Sequence, residues 1–163
     1  MNRHVETTWC DDIRQEVGEK YSAMGVYTGV LLVPTFPMAL PKLCLMLRII
    51  TPAEQPLRSV TMRILKDDAV LVETSLNEGQ LTIPEPFPEM IPDNGERVRI
   101  LAMPFMFSPF NLDTPCTLRV RIQTEAEELK GLGLRVTYLP GHIPATAPTA
   151  DTAALSSRGP GQQ

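Results

Sequence analysis

The chain has 163 residues, with 15 basic and 19 acidic side chains and a net charge of −4. A chain of this length folds as one ordinary domain and buries roughly 70% of its unfolded surface, so it needs no disulfide or metal staple. The acidic balance argues against a general nucleic-acid binder, and no apolar stretch approaches the roughly 20 residues of a membrane helix.

Three cysteines, Cys10, Cys44 and Cys116, are odd in number and scattered. The opening residues are polar and charged, unlike a secretory leader. These features lead us to expect a cytoplasmic protein with reduced thiols.

Val5, Thr7 and Trp9 alternate with polar residues, so a first strand runs toward Asp11 and Asp12. A helix over Asp11 to Lys20 is the alternative, but Gly18, Gly25 and Gly29 with Tyr21 and Tyr27 favour strands from Tyr21 to Val33. Pro34, Pro37 and Pro41 mark a loop. A strand follows from Lys42 to Ile50, with Leu43, Leu45, Leu47 and Ile49 on one face and Cys44 buried as a small hydrophobe. Ser59 to Leu65 is the next strand, with Val60, Met62 and Ile64 inward. Asp67 and Asp68 turn it back into Ala69 to Ser75. Leu81 to Ile83 reads as a short strand, and the prolines from Pro84 to Pro92 as a crossing loop.

Arg97 to Met103 is a strand with Val98, Ile100 and Ala102 on its core face. The closing hairpin pairs Thr117 to Gln123 with Gly131 to Leu139. In it Leu118, Val120 and Ile122 alternate with Arg119, Arg121 and Gln123. Leu132, Leu134, Val136 and Tyr138 alternate with Gly133, Arg135, Thr137 and Leu139. Period two puts one set on a core face and the other in solvent. After Pro140 the composition turns to Ala, Thr, Pro, Ser, Gly and Gln, which cannot bury enough apolar area to order itself. The expected architecture is an all-β antiparallel sandwich over 1–140, immunoglobulin-like or C2-like, with a disordered tail over 141–163; a small β-barrel is the alternative.

The block Cys10-Asp11-Asp12-Ile13-Arg14, the residues Glu16-Val17-Gly18, Lys20-Tyr21-Ser22 and Gly25-Val26-Tyr27, and Leu40-Pro41-Lys42-Leu43 downstream resemble the opening of a group of small uncharacterised bacterial proteins. That group is known only as a domain of unknown function. The closing hairpin is similar to how those proteins end. The resemblance spans about residues 9 to 140 and implies a small all-β domain. It implies no activity, ligand or site residue.

The candidate binding residues are of two kinds. Arg97, Arg99, Arg119, Arg121 and Arg135 fall in predicted strands, as do Arg48 and Arg63. Guanidinium groups converging from neighbouring strands suit carboxylate or phosphate. The plainer alternative is a solvated face paired with Glu73, Glu125 or other acids. The closing hairpin should place Arg119, Arg121 and Arg135 in one outward patch. The second kind is the Met103 to Phe110 stretch, with Phe105 and Phe107 between Pro104 and Pro109. It is either a protein contact or a crossover that plugs the end of the sandwich. Asp11, Asp12, Asp67, Asp68, Asp93 and Asp113 fall in loops without calcium-loop spacing. His4 and His142 lie near the ends and offer no base for a rigid site, so no catalytic residue, metal or cofactor is expected. These readings converge on a non-enzymatic binding or structural module whose partner is another protein or a second copy. The alternatives are an anion- or nucleic-acid-associated domain using the arginine face, and an enzyme with an unrecognised site.

Overall fold

The computed structural model describes residues 2–18, 20–81, 95 and 97–141. In chain order the strands are β1 (His4–Glu16), β2 (Lys20–Val26), β3 (Val30–Val33), β4 (Met38–Leu40), β5 (Leu43–Pro52), β6 (Val60–Lys66) and β7 (Ala69–Leu76). One helical turn, α1 (Glu78–Leu81), follows. Then come β8 (Val98–Phe107), β9 (Phe110–Leu112), β10 (Cys116–Thr124) and β11 (Glu128–Tyr138). A four-stranded sheet has the order β2-β1-β5-β8. A five-stranded sheet has the order β3-β11-β10-β6-β7, and β4 and β9 form a small third sheet. The two larger sheets face each other across one core. From β5 it takes Leu43, Leu45, Leu47 and Ile49; Val60, Met62, Ile64, Leu118, Val120, Ile122, Leu134 and Val136 answer from the other sheet. No sheet closes into a barrel, and the molecule is an all-β sandwich.

Three local features differ from the sequence reading, and at a fourth the structure takes the strand rather than its helical alternative. β1 continues as a strand through Glu16 and forms a hairpin with β2, so no helix forms over 11–20. Its partner Gly25 has φ +66°, and the Asp11 side chain fills the space where a Cβ would stand. Leu81 ends a helical turn, and the remainder of the strand expected there lies in 82–94, outside the described residues. Met38–Leu40, expected as loop, pairs with Phe110–Leu112. Finally, β3 runs parallel to β11, the exception in an otherwise antiparallel set. The proposed tail over 141–163 also lies outside the described residues from 142 onward.

In β8 Val98 is buried as read from sequence, but from Leu101 onward the strand takes the opposite phase to that reading. Leu101, Met103, Phe105 and Phe107 pack on the core, while Ala102 is exposed. The register explains the shift, because Ile49 faces Leu101 and Leu47 faces Met103 across the ladder with β5. Pro104 sits within this strand opposite Met46. β8 is an edge strand, so a residue lacking an N–H costs the sheet nothing on its open side.

β11 carries a bulge opposite Leu118 to Val120. Leu134 faces Leu118 and Gly131 faces Val120, which leaves an extra residue between them. The bulge reverses the phase of Leu132. Read with Leu134 and Val136 as core, it instead stands 79% exposed. The Leu132 carbonyl turns sideways to β1. It accepts hydrogen bonds from Thr7 Oγ1 at 2.8 Å and Trp9 Nε1 at 3.3 Å, and these close the side of the sandwich.

The N-terminal strand is also held by Arg3, whose side chain is 7% exposed. Its guanidinium meets Glu125 at 2.6 Å and donates to Thr51 Oγ1 at 3.1 Å and Gln55 O at 2.9 Å. Partial burial pushes the Glu125 carboxyl up. Its hydrogen bonds from backbone N–H groups, including Arg58 and Ser59, and from Arg3 outweigh this and hold it below the usual carboxylate range. A carboxyl with a depressed folded-state pKa contributes stability above its unfolded value, and that stability is lost as pH falls through the folded value. The melting temperature of Glu125→Gln should therefore trail the native protein at neutral pH. The gap should close as pH falls below about 4, the ordinary range of a glutamate. A gap that stayed constant from neutral to acid would show that folding does not shift the Glu125 pKa.

Candidate functional site

The outer face of the five-stranded sheet gathers most of the strand arginines. Arg121 on β10 lies directly opposite Lys130 on β11 and Arg63 on β6. Opposite residues in a ladder share a face and stand about 5 Å apart, so these cations form a row across the sheet. Glu73 on β7 ends the row and pairs with Arg63. Arg119, two residues along β10, faces the bulge. Arg135 comes up on β11 beside Thr117. Leu132 lies between Lys130 and Arg135 on β11, so an exposed apolar side chain sits among four cations.

Some of this charge is answered. Arg119 Nη1 meets Asp68 at 3.0 Å and donates to Asp67 O at 2.9 Å. Asp67 turns the β6–β7 hairpin with φ +54°, and its carboxylate accepts the Thr117 N–H at 2.8 Å. Arg119 is thereby tied to a turn, with an acid that is itself fully exposed. The Glu73 carboxylate beside Arg63 raises that guanidinium's pKa further, and Glu128 acts the same way more weakly. Among the described residues no carboxylate pairs with Arg121, Lys130 or Arg135, and Arg121 donates only to its own strand at Val120 O, at 3.0 Å.

The structure does not bring all the sequence candidates together. Arg119, Arg121 and Arg135 share the face as expected. Arg99 lies on β8 in the other sheet, opposite Thr51, and Arg97 precedes that strand, its carbonyl accepting the Ala53 N–H at 2.9 Å. Arg48 belongs to the four-stranded sheet and pairs with Glu6. Phe105 and Phe107 turn inward, with Phe107 against Phe110 at 5.5 Å between ring centroids. They serve as core, and Met106 between them is the exposed residue of that stretch. Lys130 and Leu132 were missed as face residues. The signal for Leu132 was its two flanking glycines, which break the alternation on which the reading relied.

Part of the block that carried the family resemblance, Cys10, Asp11, Asp12, Tyr27 and Lys42, gathers at the root of the β1–β2 hairpin. Cys10 and Cys44 face each other across β1 and β5, buried with Ile13 and half-buried Met46. Both thiols are free, and burial pushes Cys10 up to about 11. Buried thiols of this kind are poor nucleophiles. Asp12 meets Lys42 at 2.8 Å and Arg14 at 3.5 Å, and these cations lower its pKa. The Tyr27 hydroxyl donates to Asp11, and burial together with that carboxylate raises its pKa. This cluster pins the hairpin where it leaves β5.

The fold and this face define an all-β sandwich with a cationic outer sheet. A family model described as a family of unknown function, DUF6941, matches residues 7–137, from β1 to the end of β11. The chain belongs to that family. No curated protein and no solved structure matches it. Among the described residues, no helix is long and apolar enough to cross a membrane.

Proposed function

We propose that the chain is a non-enzymatic binding module that docks an acidic segment of another protein on the outer face of its five-stranded sheet. The observation that carries this is the row Lys130–Arg121–Arg63 with Arg135 beyond it, in which three of the four cations lack a carboxylate partner among the described residues. Like charges about 5 Å apart repel, and an acidic ligand relieves that repulsion. The exposed Leu132 among them adds apolar contact at the centre of the face. The net charge of −4 favours a protein partner over a polyanion with dense charge, such as duplex DNA.

Immobilised polyglutamate tests the reading. The native chain should bind at low salt and release as salt rises, because exposed charges are screened beyond about 8 Å at physiological ionic strength. Arg121→Glu with Arg135→Glu should weaken binding about tenfold or more without changing the melting temperature. Arg119 is left intact because it ties the β6–β7 turn. Equal binding by the double variant, or tighter binding to duplex DNA than to polyglutamate, would overturn it.

A further inference from the structure

Among the described residues the outer edge of β3 is free, and it has the backbone geometry of an acceptor strand. The Arg135 N–H donates to Gly29 O at 3.0 Å, and the Leu139 N–H to Val33 O at 2.8 Å. Backbone polar groups alternate sides along a strand. Gly29, Leu31 and Val33 therefore turn theirs toward β11, while Val30 and Leu32 turn their N–H and C=O groups outward. The sheet ends at β3, and no backbone bond to Val30 or Leu32 from outside the ladder occurs among the described residues. Edge strands are ordinarily blunted by proline, charge or a bulge. β8 has Pro104, whereas β3 reads Val-Leu-Leu-Val. Val30 and Leu32 are 44% and 45% exposed.

We propose that this edge receives the acidic partner segment as an added strand, a proposal that rests on the cationic face described above. The charge of that face decides the occupant. Arg135 lies beside Val30 in the β3–β11 register. Two copies joined edge to edge through β3 would extend one cationic face into another, which like-charge repulsion opposes. An acidic strand meets the opposite field. An added strand lies about 4.8 Å beyond β3. Its inward side chains then extend the layer of Leu31 and Val33, and its outward ones pass over Val30 and Leu32 toward Arg135. The fitting segment alternates apolar and acidic residues, with main-chain bonds giving affinity and the alternation giving specificity.

A short fluorescein-labelled peptide alternating valine and glutamate is the probe, titrated by fluorescence anisotropy against the full chain. It should bind and slow hydrogen exchange at the Val30 and Leu32 amides. The same peptide N-methylated throughout, and a valine–lysine counterpart, should each bind about tenfold more weakly or worse. Equal binding by the N-methylated peptide overturns strand addition and leaves the charge reading standing. Equal binding by the valine–lysine peptide, with the same amides protected, overturns the acidic occupant. Protection that grows with protein concentration alone, with a dimer mass in light scattering, makes the occupant a second copy and overturns the proposal. Binding by none of the peptides overturns it too, and the polyglutamate result then judges the cationic face separately.

Discussion

Leu134→Ala is expected to lower the unfolding free energy by about 2 to 5 kcal/mol, the cost of lost transfer energy plus the cavity left behind. Leu134 is fully buried on β11 opposite Leu118, itself fully buried. Leu45 and Leu47 on the facing sheet should behave alike, since both close the same core. Chemical denaturation gives the measurement. A loss under about 1 kcal/mol at all three would mean that these side chains are not enclosed as described. Polyglutamate binding by the folded fraction should be unchanged, because the substitution is made on the opposite side of the sheet from Arg135.

Gly133→Ala is the second large effect. A Cβ there would stand 2.5 Å from the Leu118 carbonyl oxygen, a backbone atom that cannot swing aside. Overpacking of this kind costs about 1 to 3 kcal/mol. Relief requires the bulge to move, and the bulge holds the Leu132 carbonyl against Trp9. Trp9 is the chain's single tryptophan, so its emission should shift red as that contact loosens, and polyglutamate binding on the face around Leu132 should weaken with it. Gly79→Ala serves as the control. Its Cβ would meet Asn77 Oδ1 at an ordinary 3.5 Å within a helical turn, where alanine is favoured over glycine. Unchanged stability and emission in Gly133→Ala would show that the bulge is not fixed by close approach.

Strands were legible wherever one phase was uniformly branched aliphatic or long apolar and the other was mixed or polar. Leu43 to Ile49, Val60 to Ile64 and Leu118 to Ile122 all declare their inner face, and each is buried as read. The signal fails where both phases are apolar, as in β8. There Val98 and Ile100 compete with Leu101, Met103 and Phe105, and only the register with β5 decides. It fails again at the β11 bulge, because one inserted residue inverts everything on one side of it. The parallel pairing of β3 with β11 leaves no local trace, since the hydrogen bonds join segments far apart in the chain. The candidate face was half legible. Alternation placed Arg119, Arg121 and Arg135 outward. It could not say that Arg63 and Lys130 flank Arg121, or that Asp68 already holds Arg119, because those facts depend on which strands are neighbours.

That parallel pairing also sets the order in which the molecule can assemble. β11, the last strand among the described residues, is not at the rim of its sheet; it lies between β3 and β10. It also supplies the carbonyl that anchors β1. During synthesis β1 can pair early with β2 and β5, but β3 leaves the ribosome without its partner. β3 stays unpaired and β1 unlatched until Arg135 to Tyr138 has emerged. Contacts between such distant segments fold slowly, because a long loop must close before they form. Until then the apolar β3, with Val30 and Leu32 at its surface, has nothing beside it. A nascent chain stopped before β11 should be sensitive to protease across its whole length, and resistance should appear in one step once β11 is clear of the exit tunnel.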